Sequence, residues 1–207
     1  VGILGYSFHK EFDQLDTLKM RVGALPEFPA NQMMYNLTWS TEGLVNEYAN
    51  PCEAIKNRKQ TLIEPLEGLE VFSVSGVEYE AFNTSGGLGN LCTTLDGKIR
   101  DLTYKTIRYP GHNELMRFLF NELRLGEEGE RRNMLMNILD SSVAVTGQDI
   151  VLISNVATGY IDGKLEQRSR TFLIKHTAEQ SAIQISTASG AVTVMDLVLQ
   201  GQLNRTG

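Results

Sequence analysis

Hydrophobic positions change their spacing repeatedly along the chain, and each change marks an element. Residues 3–12 put Leu4, Phe8 and Phe12 on one face, the four-residue step of a helix. Thr17-Leu18-Lys19-Met20-Arg21-Val22 alternates instead, which predicts a half-buried strand. Gly23-Ala24-Leu25-Pro26 is expected to break that strand, and an extended loop carrying Pro26 and Pro29 to run on to Asn31. Met33 to Trp39 reads as extended. Ser40 stands where it can cap a short helix through Tyr48, which Asn50-Pro51 ends.

Thr61 to Glu64 and Glu70 to Val74 read as strands, and Ser75-Gly76 turns the second into Val77 to Phe82. Asn83-Thr84-Ser85-Gly86-Gly87 leads into a short helix through Leu95, and Asp96-Gly97 is a turn. Leu102 to Arg108 alternates again, with Leu102, Tyr104, Thr106 and Arg108 on one face. Asn113 to Leu123 has helical spacing, predicting a buried side of Leu115, Met116, Leu119, Phe120 and Leu123. A second helix, Arg131 to Leu139, carries Met134, Leu135, Ile138 and Leu139. Gln148 to Tyr160 and Lys164 to His176 are long strands around Asp162-Gly163, a pair that tolerates the positive φ of a tight hairpin. Residues 178–200 form a long, mostly apolar helix with small residues Ala182, Ser186, Ser189 and Gly190. A mixed sheet of about six strands with irregularly placed helices is α+β rather than a βαβ array.

The 207 residues suffice for one sizeable core or two small ones. The net charge of -6 leaves no basic excess for nucleic-acid phosphates. No apolar run is read as approaching the ~20 residues that span a bilayer, and no signal peptide is recognised, so no membrane partner is expected. The start lacks an initiator Met and reads like the middle of a helix, so the chain is expected to be a piece of a longer polypeptide. Cys52 and Cys92 lack the spacing of a zinc site and are too few for a disulfide framework. They read as reduced thiols of a cytoplasmic protein.

Candidate chemistry concentrates in Lys105-Thr106-Ile107-Arg108-Tyr109-Pro110-Gly111-His112. Here a strand turns into a helix and sets a cation, a phenol and an imidazole side by side. Gly86-Gly87-Leu88-Gly89 does not have the spacing of a dinucleotide fingerprint, and reads as a glycine-rich turn into a helix N-terminus. Glu78 and Glu80 read by default as exposed or interface carboxylates. His9 and His176 are assigned no role.

Four segments occur in a telling order. They are Val22-Gly23-Ala24-Leu25-Pro26; Asn36-Leu37-Thr38-Trp39-Ser40-Thr41-Glu42-Gly43-Leu44; Glu78-Tyr79-Glu80-Ala81-Phe82-Asn83-Thr84-Ser85-Gly86-Gly87-Leu88; and Lys105 to His112. The series resembles the C-terminal domain of the saccharopine dehydrogenase family, which includes lysine 6-dehydrogenase and carboxynorspermidine dehydrogenase. The resemblance covers nearly the whole chain. It implies an N-terminal Rossmann domain for NAD or NADP outside these residues. It also implies a second domain, similar to the catalytic domain of glyceraldehyde-3-phosphate dehydrogenase, that binds substrate and forms a homodimer. The implied chemistry is hydride transfer between a nicotinamide and the C–N carbon of an amino acid such as saccharopine or lysine. A carboxynorspermidine-type polyamine precursor is the alternative substrate, and a non-catalytic paralogue serving assembly or ligand binding is the alternative class.

Under that resemblance Arg108 would bind a substrate carboxylate, His112 would transfer a proton, and Tyr109 would donate a hydrogen bond. Trp39, Ser40, Gly23, Thr84 and Ser85 complete the expected substrate-binding set. The sequence departs from the family in two places. The saccharopine reductase branch usually follows the Tyr with Lys-Gly-Phe, whereas Pro110-Gly111-His112 is closer to the lysine 6-dehydrogenase branch. In that branch the strand before the glycine loop tends to end in Thr-Asp-Gly, and Ser85 stands where that Asp would be.

Overall fold

A computed structural model describes residues 2–203. Helix α1 (Gly2–Glu11) leads into β1 (Gln14–Pro26). Then come α2 (Thr41–Ala49), β2 (Cys52–Lys56), β3 (Lys59–Ile63), β4 (Glu70–Val74), β5 (Val77–Asn83) and α3 (Leu91–Leu95). The rest is β6 (Asp101–Arg108), α4 (His112–Arg117), α5 (Glu130–Ser142), β7 (Asp149–Ile161), β8 (Lys164–Lys175) and α6 (Ala182–Leu199). The fold is α+β, with a mixed sheet of eight strands rather than six.

Strand order is β3-β2-β6-β1-β7-β8, and the β4–β5 hairpin joins along β6. β6 shares one edge between two partners: Ile55 of β2 pairs near its start, and Glu80 to Asn83 of β5 pair along its end. β1 and β6 run parallel, and the other pairs of named strands are antiparallel. On one sheet face Leu18, Met20, Leu102 and Tyr104 pack beneath Phe8 and Phe12 of α1 and Leu91 and Leu95 of α3. Further along, Tyr35, Leu44, Tyr48, Phe82, Met116, Leu135 and Leu139 join α2, α4 and α5 in a second core. The opposite face carries Leu25, Ile107, Ile150 and Leu152 under Tyr79 and Phe72 of the β4–β5 hairpin.

Several expectations are corrected. β1 does not break at Gly23; it pairs with β7 as far as Pro26 against Asp149. The glycine is there because a Cβ would stand 2.5 Å from the Ile107 carbonyl oxygen. β2 was not foreseen, because its hairpin turn uses Asn57 and Arg58, both at positive φ, with no glycine as a signal. Met33 to Trp39 forms no strand and contributes one bridge, Leu37 to Val145. The Asn113–Leu123 face also fails. The helix gives way to a π-helical turn at Phe118–Glu122, which rotates the stripe, and Leu115 and Leu123 are exposed while Met116 is buried. Met134 and Ile138 of α5 are exposed too.

The long terminal helix corrects another expectation. α6 is 18 residues long with mean hydropathy 1.5, long and apolar enough to cross a membrane by length and composition. Its interspersed Ser, Thr and Gly hide the apolar character when the sequence is read as runs, and Asp196 is its one charged residue. Its first turn is fastened by the buried Asp149, whose carboxylate accepts from the Ala182 and Ile183 amides. Ser181 and Gln184 add a capping box. From Thr187 to Leu199 only Leu197 is even partly covered.

Candidate functional site

The Pro-Gly corner ends β6 and starts α4, with Gly111 at φ 94°, a conformation that suits glycine. Glu80 holds the corner from β5. Its buried carboxylate accepts from the Gly111 amide at 2.9 Å and the Asn113 amide at 2.5 Å. The default reading of Glu80 as an exposed carboxylate is therefore corrected. β5 is buried on both faces from Tyr79 onward, and the α4 amides provide the partners that make this acceptable.

Alternation along β6 sends Arg108 and Tyr109 to opposite sides. Tyr109 stacks on Tyr79 and donates from its hydroxyl to the Pro26 carbonyl at 3.0 Å. Arg108 points into the α2–α4 core and is only 2% exposed. Its guanidinium lies 5.1 Å from the Tyr35 ring and 5.7 Å from that of Tyr48. Nε donates to the Tyr48 hydroxyl at 2.8 Å, and Nη1 donates to the Ile107 carbonyl at 2.8 Å. Nη2 has the Glu47 carboxylate at 3.9 Å, an ion pair without a hydrogen bond.

His112 is fully buried beside them. Its Nδ1 lies 2.9 Å from the Met33 carbonyl, and its Nε2 lies 3.1 Å from the Tyr48 hydroxyl. A carbonyl can only accept, so Nδ1 carries the proton. Nε2 then accepts from Tyr48, whose oxygen in turn accepts from Arg108. The chain Arg108 → Tyr48 → His112 → Met33 thus has one consistent direction. Burial and the neighbouring Arg108 charge lower the His112 pKa to about 3, opposed by the Met33 hydrogen bond. Burial raises the Tyr48 hydroxyl. For Arg108, burial opposes the charge, but Tyr48, Tyr35 and Glu47 more than compensate, so it stays a cation. Burial raises Glu47, with Arg108 pulling the other way.

Of the other expected residues, Gly23 lies within β1, and the rest fall into two groups at opposite ends of α2. Ser40 caps its start, its Oγ accepting from the Gly43 amide at 3.2 Å. Trp39 folds over Gly43, where a Cβ would stand 2.4 Å from the indole. Thr38, beside them, lines a polar cleft of about 650 Å³ with Thr146, His176, Thr177 and Ser181. Ser85 lies at the far end of α2, its amide bonded to the Glu47 carbonyl and its Oγ to the Asn46 carbonyl. The two groups are about 10 Å apart along the helix. Thr84 is buried, and its hydroxyl has no protein partner. Desolvation is the main reason the His112 imidazole is held neutral. Tyr35, Glu47 and Tyr48 were missed, since nothing in their spacing ties α2 to the Pro-Gly corner.

The glycine loop does not fit a dinucleotide. Gly87 is packed under the Tyr104 ring, where a Cβ would come within 2.0 Å of the ring atoms. The strand before the loop is antiparallel to β6, and α3 is only five residues long. Among the described residues this loop is therefore no pyrophosphate cradle.

The sequence matches the family model described as saccharopine dehydrogenase C-terminal domain over residues 2–207. The chain belongs to the saccharopine dehydrogenase family. Its fold is similar to that of apo histidine-tagged saccharopine dehydrogenase (L-Glu forming) from Saccharomyces cerevisiae, with a TM-score of 0.75 at 13% identity. That match covers 98% of this chain and 63% of the yeast chain. The family is that of an NAD(P)-dependent oxidoreductase, and the match is to its C-terminal domain.

Proposed function

We propose that this is the substrate-binding and dimerisation domain of an NAD(P)-dependent oxidoreductase acting on the C–N bond of an amino acid, saccharopine or lysine. The observation that carries the reading is the family match over residues 2–207. In this reading the nicotinamide is held by residues outside these ones, and residues 1–207 alone are inactive. In this reading the domain is also similar to the catalytic domain of glyceraldehyde-3-phosphate dehydrogenase and forms a homodimer in the cytoplasm.

Within this domain Trp39, Ser40 and Ser85 form the rim that meets substrate, with the buried Thr84 beneath it, and Gly23 keeps β1 tight against β6 behind it. Arg108, Tyr48 and His112 act from behind as positioning residues. They hold α2, and so the rim at both its ends, in one place. This differs from a direct proton-transfer role for His112, because neither of its ring nitrogens is free. The Ser85 hydroxyl is spent on Asn46, so the rim offers no carboxylate at the position where an Asp would meet a substrate amine.

The test is turnover by the full-length protein with NAD+ or NADP+ and, separately, saccharopine, lysine and carboxynorspermidine. Nicotinamide reduction with saccharopine or lysine is expected. Turnover of carboxynorspermidine alone would move the assignment to the polyamine branch. Turnover of none of the three would leave the non-catalytic paralogue.

A further inference from the structure

The outer strand of the sheet is built to be paired, and its pattern says with what. β8 pairs with β7 from Ile150–Lys175 to Ile161–Lys164, and among the described residues no strand lies on its other side. No residue of β8 is buried. A strand this long and regular with a bare edge presents a row of unpaired amides and carbonyls. Proteins usually protect such an edge with charges that repel another strand. Here one face carries such a charge only at its end, where Lys175 pairs with Glu27, and none between Leu165 and Leu173. Leu165, Gln167, Ser169, Thr171 and Leu173 share that face, all are exposed, and none is charged. Leu165 is 63% and Leu173 47% exposed.

The other face does carry charge, but the charge is balanced within the chain. Arg170 pairs with Glu11 of α1, and Arg168 pairs with both Glu11 and Glu166. An antiparallel copy centred on Ser169 sets Arg168 opposite Arg170 of that copy, and the Glu11 and Glu166 carboxylates beside them offset this like-charge pairing.

We propose that β8 pairs antiparallel with β8 of a second copy, about a two-fold axis through Ser169, to make one continuous sheet. Directly opposite residues of an antiparallel pair share a face, so a two-fold axis perpendicular to the sheet must pass through a residue position. With the axis at Ser169, Leu165 faces Leu173 on both sides of the centre, Gln167 faces Thr171, and Ser169 faces itself. Moving the axis to Arg168 sets Leu165 against Thr171, and moving it to Arg170 sets it against Lys175. Ser169 is the position that matches the two exposed leucines and uses nearly the whole strand. A foreign strand would need no such self-complementarity, which is why a second copy is the occupant. This rests on the homodimer of the preceding reading but not on its chemistry.

The test uses the full-length protein in sedimentation, followed by oxidative cross-linking of cysteine variants. The native Cys52 and Cys92 are buried, with their thiols raised by burial to about 12 and 11, and the parent protein run in parallel controls for other thiols. A dimer is expected. Ser169→Cys should convert it to a disulfide-linked band, because directly opposite Cα atoms lie about 4.5–5.5 Å apart, within disulfide reach. Gln167→Cys and Thr171→Cys should each stay unlinked, and the double variant should link. A monomer would overturn both this proposal and the dimer in the functional reading. A dimer in which Ser169→Cys does not link, or in which Gln167→Cys links alone, would overturn this surface and leave the functional reading standing.

Discussion

The Pro-Gly corner and the β8–α6 flank use polar and apolar groups in opposite ways. At the corner Arg108, Tyr48 and His112 are deeply buried, and the Tyr48 hydroxyl and both His112 ring nitrogens are taken up by hydrogen bonds. On the flank, β8 has no second strand partner among the described residues, and α6 leaves an apolar surface uncovered beyond its first turn. Chemically competent residues in a sequence draw attention to the first region, yet there the chemistry is consumed by structure. The second region looks bland in sequence, yet its backbone and side chains are the ones left to engage something else. A polar cluster is informative about function only once its hydrogen bonds have been followed to their ends.

The comparison can be broken by mutation, and the corner should give the largest effects. Arg108→Met removes the cation that Tyr48 and Glu47 face and leaves a buried phenol oxygen without its donor. A loss of about 3–5 kcal/mol in chemical denaturation is expected. A loss no larger than that of an exposed substitution would mean the network is not closed. Gly23→Ala comes next, because its Cβ would press on the Ile107 backbone rather than on a side chain that can turn away. A cost of about 1–3 kcal/mol is expected, measured the same way.

Acid should then separate the corner from the rest. In the folded state His112 stays neutral down to about 3, whereas a free imidazole protonates near 6.5. The groups facing it are Arg108, Tyr48 and Tyr35, with Glu47 beyond Arg108. Above 6.5 neither state binds the extra proton and the residue adds no pH dependence. As pH falls from 6.5 toward 3 the unfolded state binds a proton that the folded state refuses. Stability is lost at up to about 1.4 kcal/mol per pH unit. His112→Gln should remove that slope in the upper part of the window. Glu70 enters only lower down. Burial would raise its pKa, but hydrogen bonds from Lys105 and Arg21 hold it at about 2 against an ordinary 4.5, so its contribution fades as pH drops through that interval. An unchanged slope in His112→Gln between 6.5 and 4.5 would contradict the buried neutral imidazole. The smallest effect belongs to the flank. Thr171→Ala should change unfolding free energy by no more than about 0.5 kcal/mol.

Much of this architecture was legible before the structure. The two long strands around Asp162-Gly163 emerge because alternation persists over their length and the turn pair is diagnostic, with Asp162 and Gly163 both at positive φ. The α2 cap at Ser40 and the Ser75-Gly76 hairpin follow from equally local signals. The family, too, was readable from four ordered segments. What escaped depended on neighbours distant in sequence. β1 continues past Gly23 because β7 supplies partners from Gly23 through Pro26. Glu80 is buried because α4 turns its amides toward it. His112 looked like a proton carrier because its two partners, Met33 and Tyr48, come from a loop and a helix that no local pattern connects to it.

The most direct test of the positioning role is the pH profile of kcat/KM for full-length His112→Gln, with whichever substrate the parent turns over. A network that holds α2 in place predicts a lower kcat/KM with the parent's profile retained in shape. Loss of one limb of the profile would make His112 the proton-transfer group, and the account of a closed, structural corner would be wrong.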